Sequence, residues 1–200
     1  MIAILDYGSG NLRSAERAFA TSGQEVVVTS DRRTALDADG LVVPGVGAFA
    51  ACMQGLKSIS GDEIIRERIS KERPIFGICI GMQILFTSGL EQAKAKPHDG
   101  VAIWKGEIGQ LHAPILPHMG WNTVDTPAGS TLFEGIEDQF FYFVHSYAAK
   151  ESVGQLQSWS TYGERFLCAV EDSYVSATQF HPEKSGSAGL KLIKNWVQSI

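Results

Sequence analysis

Three features, in this order along the chain, could together perform acyl transfer: a glycine-rich loop after a β-branched run, a cysteine set between glycines, and a histidine with a glutamate two residues on. The cysteine lies in Pro74-Ile75-Phe76-Gly77-Ile78-Cys79-Ile80-Gly81-Met82-Gln83-Ile84-Leu85-Phe86, where an apolar strand pattern meets a helical one at Cys79. That is the cysteine form of a nucleophile elbow, a sharp strand-to-helix turn whose strained residue needs small neighbours on both sides. A thiol at a helix amino terminus feels the positive end of the helix dipole, which favours the thiolate, and the N–H of Ile80 would point to where an oxyanion forms. Cys52, in an apolar helical stretch, and Cys168, in a β-prone one, lack this context and are expected in the core.

A thiolate that attacks a carbonyl compound needs a proton-carrying partner, which in turn needs an orienting acceptor. The candidates are His98, His112, His118, His145 and His181. His181 follows a strand in Ser176-Ala177-Thr178-Gln179-Phe180-His181-Pro182-Glu183; in extended chain Glu183 projects to the same side, and Pro182 stiffens the pair. Strand ends in α/β sheets are also where such sites collect. His145, in Tyr142-Phe143-Val144-His145-Ser146-Tyr147, has no carboxylate in its own segment and is expected near the site but outside a triad. A second oxyanion donor is expected from Pro44-Gly45-Val46-Gly47, through the N–H of Val46 or Gly47, because glycines let backbone approach a ligand closely. No metal or cofactor is called for, since a thiolate and oxyanion donors suffice.

These residues must be held by elements whose pattern is partly legible. Residues 2–5 read as a strand, 8–11 as a turn and 12–22 as a helix. Residues 25–29 and 41–43 read as buried parallel strands, 48–58 and 62–72 as helices, and 74–78 as another strand. Strands alternating with helices imply right-handed βαβ units and an α/β sheet. From residue 101 short β-prone pieces follow without helices between them, at 101–111, 139–145, 155–160, 165–171 and 174–180. They are expected to add antiparallel strands to the edge of the first sheet, before a last helix over 187–199. No repeat or linker marks a boundary, so residues 1–200 are expected to form one domain.

Composition narrows the function classes. With 200 residues, 44% hydrophobic and 20% charged, the chain falls in the globular range. Seventeen basic against 22 acidic residues give a net charge of -5 with no basic stripe, which argues against a nucleic-acid partner. The amino terminus meets Asp6 after four apolar residues, so neither a signal peptide nor a membrane span is expected. Three widely spaced cysteines argue against a disulfide framework and fit a reducing, cytoplasmic setting. One domain of this size holds one active site, so multi-step chemistry would need a second chain.

The cysteine elbow, glycine loop and His-x-Glu, in this chain order, resemble the triad-type, or class I, glutamine amidotransferases. The match covers nearly the whole chain, with Ile80 where the family elbow usually has Leu. The resemblance implies a flavodoxin-like α/β domain and a Cys79, His181 and Glu183 triad. It further implies L-glutamine as substrate, contacted by Gly47, Gln83, Glu91, Ser146 and Tyr147. Asp6-Tyr7-Gly8-Ser9-Gly10-Asn11-Leu12, Pro44-Gly45-Val46-Gly47-Ala48-Phe49, Pro117-His118-Met119-Gly120-Trp121-Asn122 and the His145 segment are similar to the glutaminase subunits of imidazole glycerol phosphate synthases. That closer resemblance implies a heterodimer with a cyclase subunit, docked through Asn11, Met119, Trp121 and Lys184. Met119 and Trp121 taken alone also read as core or loop packing. Other readings of the same residues are the glutaminase of a pyridoxal phosphate or anthranilate synthase, a Cys-His peptidase, or a binding module with a vestigial elbow.

Overall fold

The computed structural model describes residues 1–200. In the first half β1 (Ile2–Leu5), α1 (Leu12–Ala20), β2 (Val26–Thr29), α2 (Arg32–Asp37), β3 (Gly40–Gly45), α3 (Phe49–Ser58), α4 (Gly61–Ser70) and β4 (Ile75–Cys79) alternate as the pattern requires. The β1, β3 and β4 side chains are almost all buried, because helices cover both faces of the parallel sheet. The strand at 26–29 differs from expectation: it is the sheet's edge, only half-buried along its length.

A single helical turn, α5 (Ile80–Gln83), leads into β5 (Phe86–Gly89), β6 (His98–Asp99), β7 (Trp104–Gln110), β8 (His118–Thr123), β9 (Phe140–His145) and β10 (Tyr147–Ala148). Then β11 (Leu156–Tyr162), β12 (Glu164–Asp172) and β13 (Val175–Thr178) precede α6 (Gly186–Gln198). The main sheet has the order β11-β12-β13-β4-β3-β1-β2. Strands β11 and β12 are antiparallel additions at its edge, as expected.

Three expectations for the second half are corrected. Strand β13 pairs parallel with β4, register Ala177 to Gly77 and Thr178 to Ile78, so the sheet's parallel part extends one strand further than its sequence rhythm indicates. The β-prone pieces at 101–111 and 139–145 do not join this sheet. They belong to a four-stranded sheet β10-β7-β5-β6 and a two-stranded ribbon β8-β9 that stand beside the carboxyl ends of the parallel strands. Period-2 alternation marks a half-buried strand but not which sheet it joins.

Arg68 locks the first half together. Its guanidinium is fully buried and donates to the carbonyls of Ala35, Leu36, Ala38, Asp39 and Pro74, at the carboxyl end of α2 and the entry to β4. Burial lowers its pKa to about 10, which still leaves the charge in place at neutral pH. Replacing it leaves the buried Ala35 carbonyl without this donor, while Leu36 and Ala38 keep Arg73 and Pro74 keeps the N–H of Leu41, and it removes a buried group that ties these segments together. Arg68→Met is therefore expected to lower the unfolding free energy by about 3 kcal/mol, read from urea denaturation. An unchanged transition midpoint would refute the assignment. No helix of the chain is long and apolar enough to cross a membrane.

Candidate active site

Cys79 ends β4 and stands at φ 56, ψ -111, a backbone conformation that side chains with a Cβ seldom adopt. Its neighbours explain how it is held there. A Cβ on Gly81 would lie 1.8 Å from the carbonyl oxygen of Val43, and one on Gly77 would lie 2.8 Å from the carbonyl oxygen of Gly81. Glycine at 81 lets the elbow press directly on β3, whose Gly45 pairs with Cys79 in the sheet register, and glycine at 77 lets the elbow fold back on its own strand. The helix that follows is only one turn long, so it contributes less dipole than a full helix would. Ile80 is its first residue, with an N–H that has no intrahelical acceptor.

His181 and Glu183 lie three and five residues beyond the end of β13, next to the elbow. The ring Nδ1 and Glu183 Oε1 are 2.8 Å apart, with both side chains less than 5% exposed. The expected extended pair is instead made by a 3-10 turn over Pro182–Lys184, which brings the carboxylate back to the ring. The His181 N–H donates to the Tyr142 carbonyl at 2.9 Å, and Ser185 Oγ donates to the His181 carbonyl at 2.6 Å, which fixes the histidine backbone against β9. Burial of the ring opposes its charge, but hydrogen bonding and attraction from Cys79 and Glu183 outweigh that and raise the His181 pKa to about 10. The site thus favours an imidazolium between a sulfur and a carboxylate.

Cys79, Ile80, Val46, Gly47, Gln83, Glu91, Ser146, Tyr147, His181 and Lys184 all line one cavity of about 380 Å³, with Pro117, Val144 and His145. That volume is at the small end of ligand pockets and suits a ligand of amino-acid size. Glu91 Oε2 accepts from the N–H of Phe49 at 2.8 Å, capping α3, while the side chain borders the cavity. Gln83 Nε2 donates to the Tyr147 carbonyl at 2.8 Å, and its buried Oε1 has no partner within the chain. His145 borders the cavity but pairs with His118, Nε2 to Nδ1 at 3.0 Å, and burial holds both rings well below the ordinary histidine range.

The glycine loop departs from its expected role in one respect. The Val46 N–H donates to Ser9 Oγ at 3.2 Å, and Ser9 Oγ in turn donates to the Val46 carbonyl at 2.8 Å. Cys52 Sγ also lies 3.3 Å from that carbonyl, and Tyr7 donates from its hydroxyl to the Pro44 carbonyl. In this arrangement Val46 is therefore committed to Ser9 and is not an oxyanion donor, while Gly47, at φ 92, stands at open space beside the cavity. Ser9 and Cys52 as supports of the loop were not legible, because nothing local in either segment signals the other.

Of the residues expected at a partner face, Lys184 is on the cavity rim. Met119 and Trp121 point outward from β8 at 63% and 56% exposure, which corrects their reading as core packing. Trp121 stands over Gly186, two residues beyond Lys184, so ribbon and rim adjoin. Asn11 is exposed, caps α1 through the Ser14 N–H, and does not border the cavity.

The family profile described as glutamine amidotransferase class-I matches residues 3–199. The chain is 56% identical over 203 residues to imidazole glycerol phosphate synthase subunit HisH of Mycobacterium bovis, covering 100% of this chain and 98% of that one. It is 54% identical over 209 residues to the protein of the same name from Thermobifida fusca, with the same shares covered. A crystal structure of a glutamine amidotransferase superposes with TM-score 0.76 at 16% identity, over 98% of this chain and 97% of that one, a likeness of fold alone. With an elbow cysteine, a buried histidine–glutamate pair and full-length relatives at this identity, the chain belongs to the class-I glutamine amidotransferase family, among its HisH subunits.

Proposed function

We propose that residues 1–200 form one glutamine amidotransferase domain that hydrolyses L-glutamine and serves as the glutaminase subunit of an imidazole glycerol phosphate synthase. The observation that carries this reading is the buried Cys79, His181 and Glu183 set at one end of a cavity of amino-acid size. The thiolate of Cys79 attacks the carboxamide carbon of glutamine, and the electron pair of the carbonyl moves onto its oxygen. The Ile80 N–H and a donor from the 45–47 loop hold that oxyanion; Val46 can supply one only on leaving Ser9. His181 gives its proton to the departing nitrogen, ammonia leaves, and a thioester remains. Water then attacks the thioester with His181 as base, releasing glutamate and restoring the thiolate.

Glu183 keeps the imidazole oriented and charged through its 2.8 Å contact. Gln83, Glu91, Gly47, Ser146 and Tyr147 hold the rest of the glutamine, with the free Gln83 Oε1 as an acceptor and Glu91 as a counter-charge for its ammonium. No metal or cofactor enters any step. The ammonia would pass to a cyclase subunit, for which the exposed Met119 and Trp121, with Lys184 and Asn11, form the docking face of a heterodimer. A nucleic-acid partner does not fit the net charge of -5, and a cytoplasmic location fits the three free cysteines. The test measures glutamate and ammonia formed from L-glutamine by the chain alone and with the cyclase and its nucleotide substrate. Glutamate formation that rises with both additions is expected; peptide cleavage without glutamine hydrolysis would overturn the proposal.

A further inference from the structure

A chain of three hydrogen bonds reaches the nucleophile separately from His181, and its direction is fixed at the far end. The Tyr147 carbonyl can only accept. It lies 2.8 Å from the amide of Gln83, so the atom facing it is the nitrogen. The same nitrogen stands 2.9 Å from the amide of Gln179, which must present its oxygen there. Gln179 then has no choice but to turn its NH2 toward Cys79, and its Nε2 lies 3.8 Å from Sγ, within the range for a sulfur acceptor. Both glutamines are about 1% exposed, so water does not compete with these contacts. The carbonyl at the head of the chain also accepts from His145 Nδ1 at 3.0 Å, which anchors it further. Gln179 and His181 stand one and three residues past the end of β13, and the Gln179 N–H donates to the Cys168 carbonyl of β12 at 2.8 Å, which holds its backbone beside the elbow.

We propose that Gln179 is a second donor to the Cys79 sulfur, oriented by Gln83, and that it stabilises the thiolate before substrate arrives. The inference rests on the glutaminase reading only in naming Cys79 as the nucleophile. A neutral amide donor does what a second cation could not: it favours the charged sulfur without drawing the proton that His181 must deliver. Through one nitrogen Gln83 serves both the Tyr147 carbonyl and the Gln179 oxygen.

The test compares the pH dependence of Cys79 carboxamidomethylation by iodoacetamide in the full-length chain and in Gln179→Glu and Gln179→Leu, read by mass spectrometry of the Cys79 peptide. Glu keeps an acceptor for Gln83 but turns an oxygen toward the sulfur; Leu removes both the donor to the sulfur and the acceptor for Gln83. The other titratable groups facing Cys79 are unchanged: His181 and Glu183 beyond β13, Glu91, His145 and Lys184 around the cavity, and Tyr7 and Cys52 behind the 44–47 loop. Both variants are expected to shift the profile to higher pH by about one unit, with alkylation near pH 6 slowed about tenfold and the Glu variant the more affected. Folded variants whose profiles overlay the parent's would overturn the proposal.

A measurement on the parent protein covers the case of variants that do not fold. The side-chain NH2 signals of Gln179 in a 15N-labelled sample should move over the same pH interval in which alkylation rises, and should stay still in Cys79→Ala. Signals that ignore the state of the thiol would also refute the assignment. Glutamate release is assayed in parallel: a parent that alkylates at Cys79 yet hydrolyses no glutamine removes the proposed function without deciding the Gln179 contact.

Discussion

Cys79→Ser is expected to lower glutamine hydrolysis by at least about a thousandfold, with or without the cyclase, while the chain remains folded and still binds its partner. The substitution changes one atom in a pocket where the side chain is only 3% exposed, so packing and the strained backbone at φ 56 are retained. What changes is acidity. A thiol ionises within reach of neutral pH when a cation stands beside it, whereas a hydroxyl gives up its proton only as bond formation proceeds, which asks His181 to work as a base rather than start as an acid. Loss of the thiolate also removes one of the two anions that raise His181, so the proton donor is weakened together with the nucleophile.

Labelling gives an independent reading of the same variant. Burial raises the thiols of Cys52 and Cys168, and Cys168 is wholly enclosed, so at pH 7 iodoacetamide should mark Cys79 ahead of either. The serine variant should then take up little label under the same conditions. Partner binding should persist because the substitution alters one buried atom and leaves the exposed Met119 and Trp121, the proposed docking residues, as they are. Glutamine hydrolysis by Cys79→Ser within tenfold of the parent would end the assignment of Cys79 as nucleophile.

What the sequence disclosed about this site followed from local constraints. The elbow could be read because its requirement is local: Gly77 and Gly81 flank one cysteine at a change of periodicity, and the structure shows backbone oxygens where their side chains would be. The His181 and Glu183 contact was equally local, although a 3-10 turn rather than an extended chain produces it. Parallel strands β1, β3 and β4 were legible as unbroken apolar runs because both faces are covered. Strand β13 was legible as a strand, yet its partner was not. Its direction relative to β4 depends on how the chain returns from β12, which periodicity does not encode.

Contacts between distant segments stayed hidden for the same reason. Ser9 and Val46 meet across 37 positions, and Gln83 and Gln179 across 96. Each residue taken alone is an ordinary polar side chain with several uses. Gln179 carried one usable sign, its position two residues before His181 in the segment that follows β13, which keeps the two near one another in the chain. The His118 and His145 pair had an analogous sign only after β8 and β9 were known to be antiparallel neighbours, with those two residues opposite each other.

Glu183→Gln tests the other end of the same array and should cost at least about a hundredfold in kcat/KM for glutamine. The replacement keeps an oxygen to accept from His181 Nδ1, so ring orientation is largely retained and the charge is what is lost. In the parent, burial opposes the imidazolium, and the anions of Cys79 and Glu183 overcome it to set the ring at about 10. Without the carboxylate, burial is opposed by one anion only and the histidine pKa falls. The proton donor for departing ammonia should therefore persist in the parent until pH rises through about 10, giving an alkaline limb there that moves toward neutrality in the variant. Stability follows the same sign. A histidine raised above its unfolded value of about 6.5 contributes fully below that pH, and the contribution is lost as pH rises toward about 10. Urea denaturation of the parent between those limits should show that decline, and Glu183→Gln should flatten it. A variant with the parent's alkaline limb and undiminished kcat/KM would mean that the buried carboxylate holds neither the charge nor the function of His181.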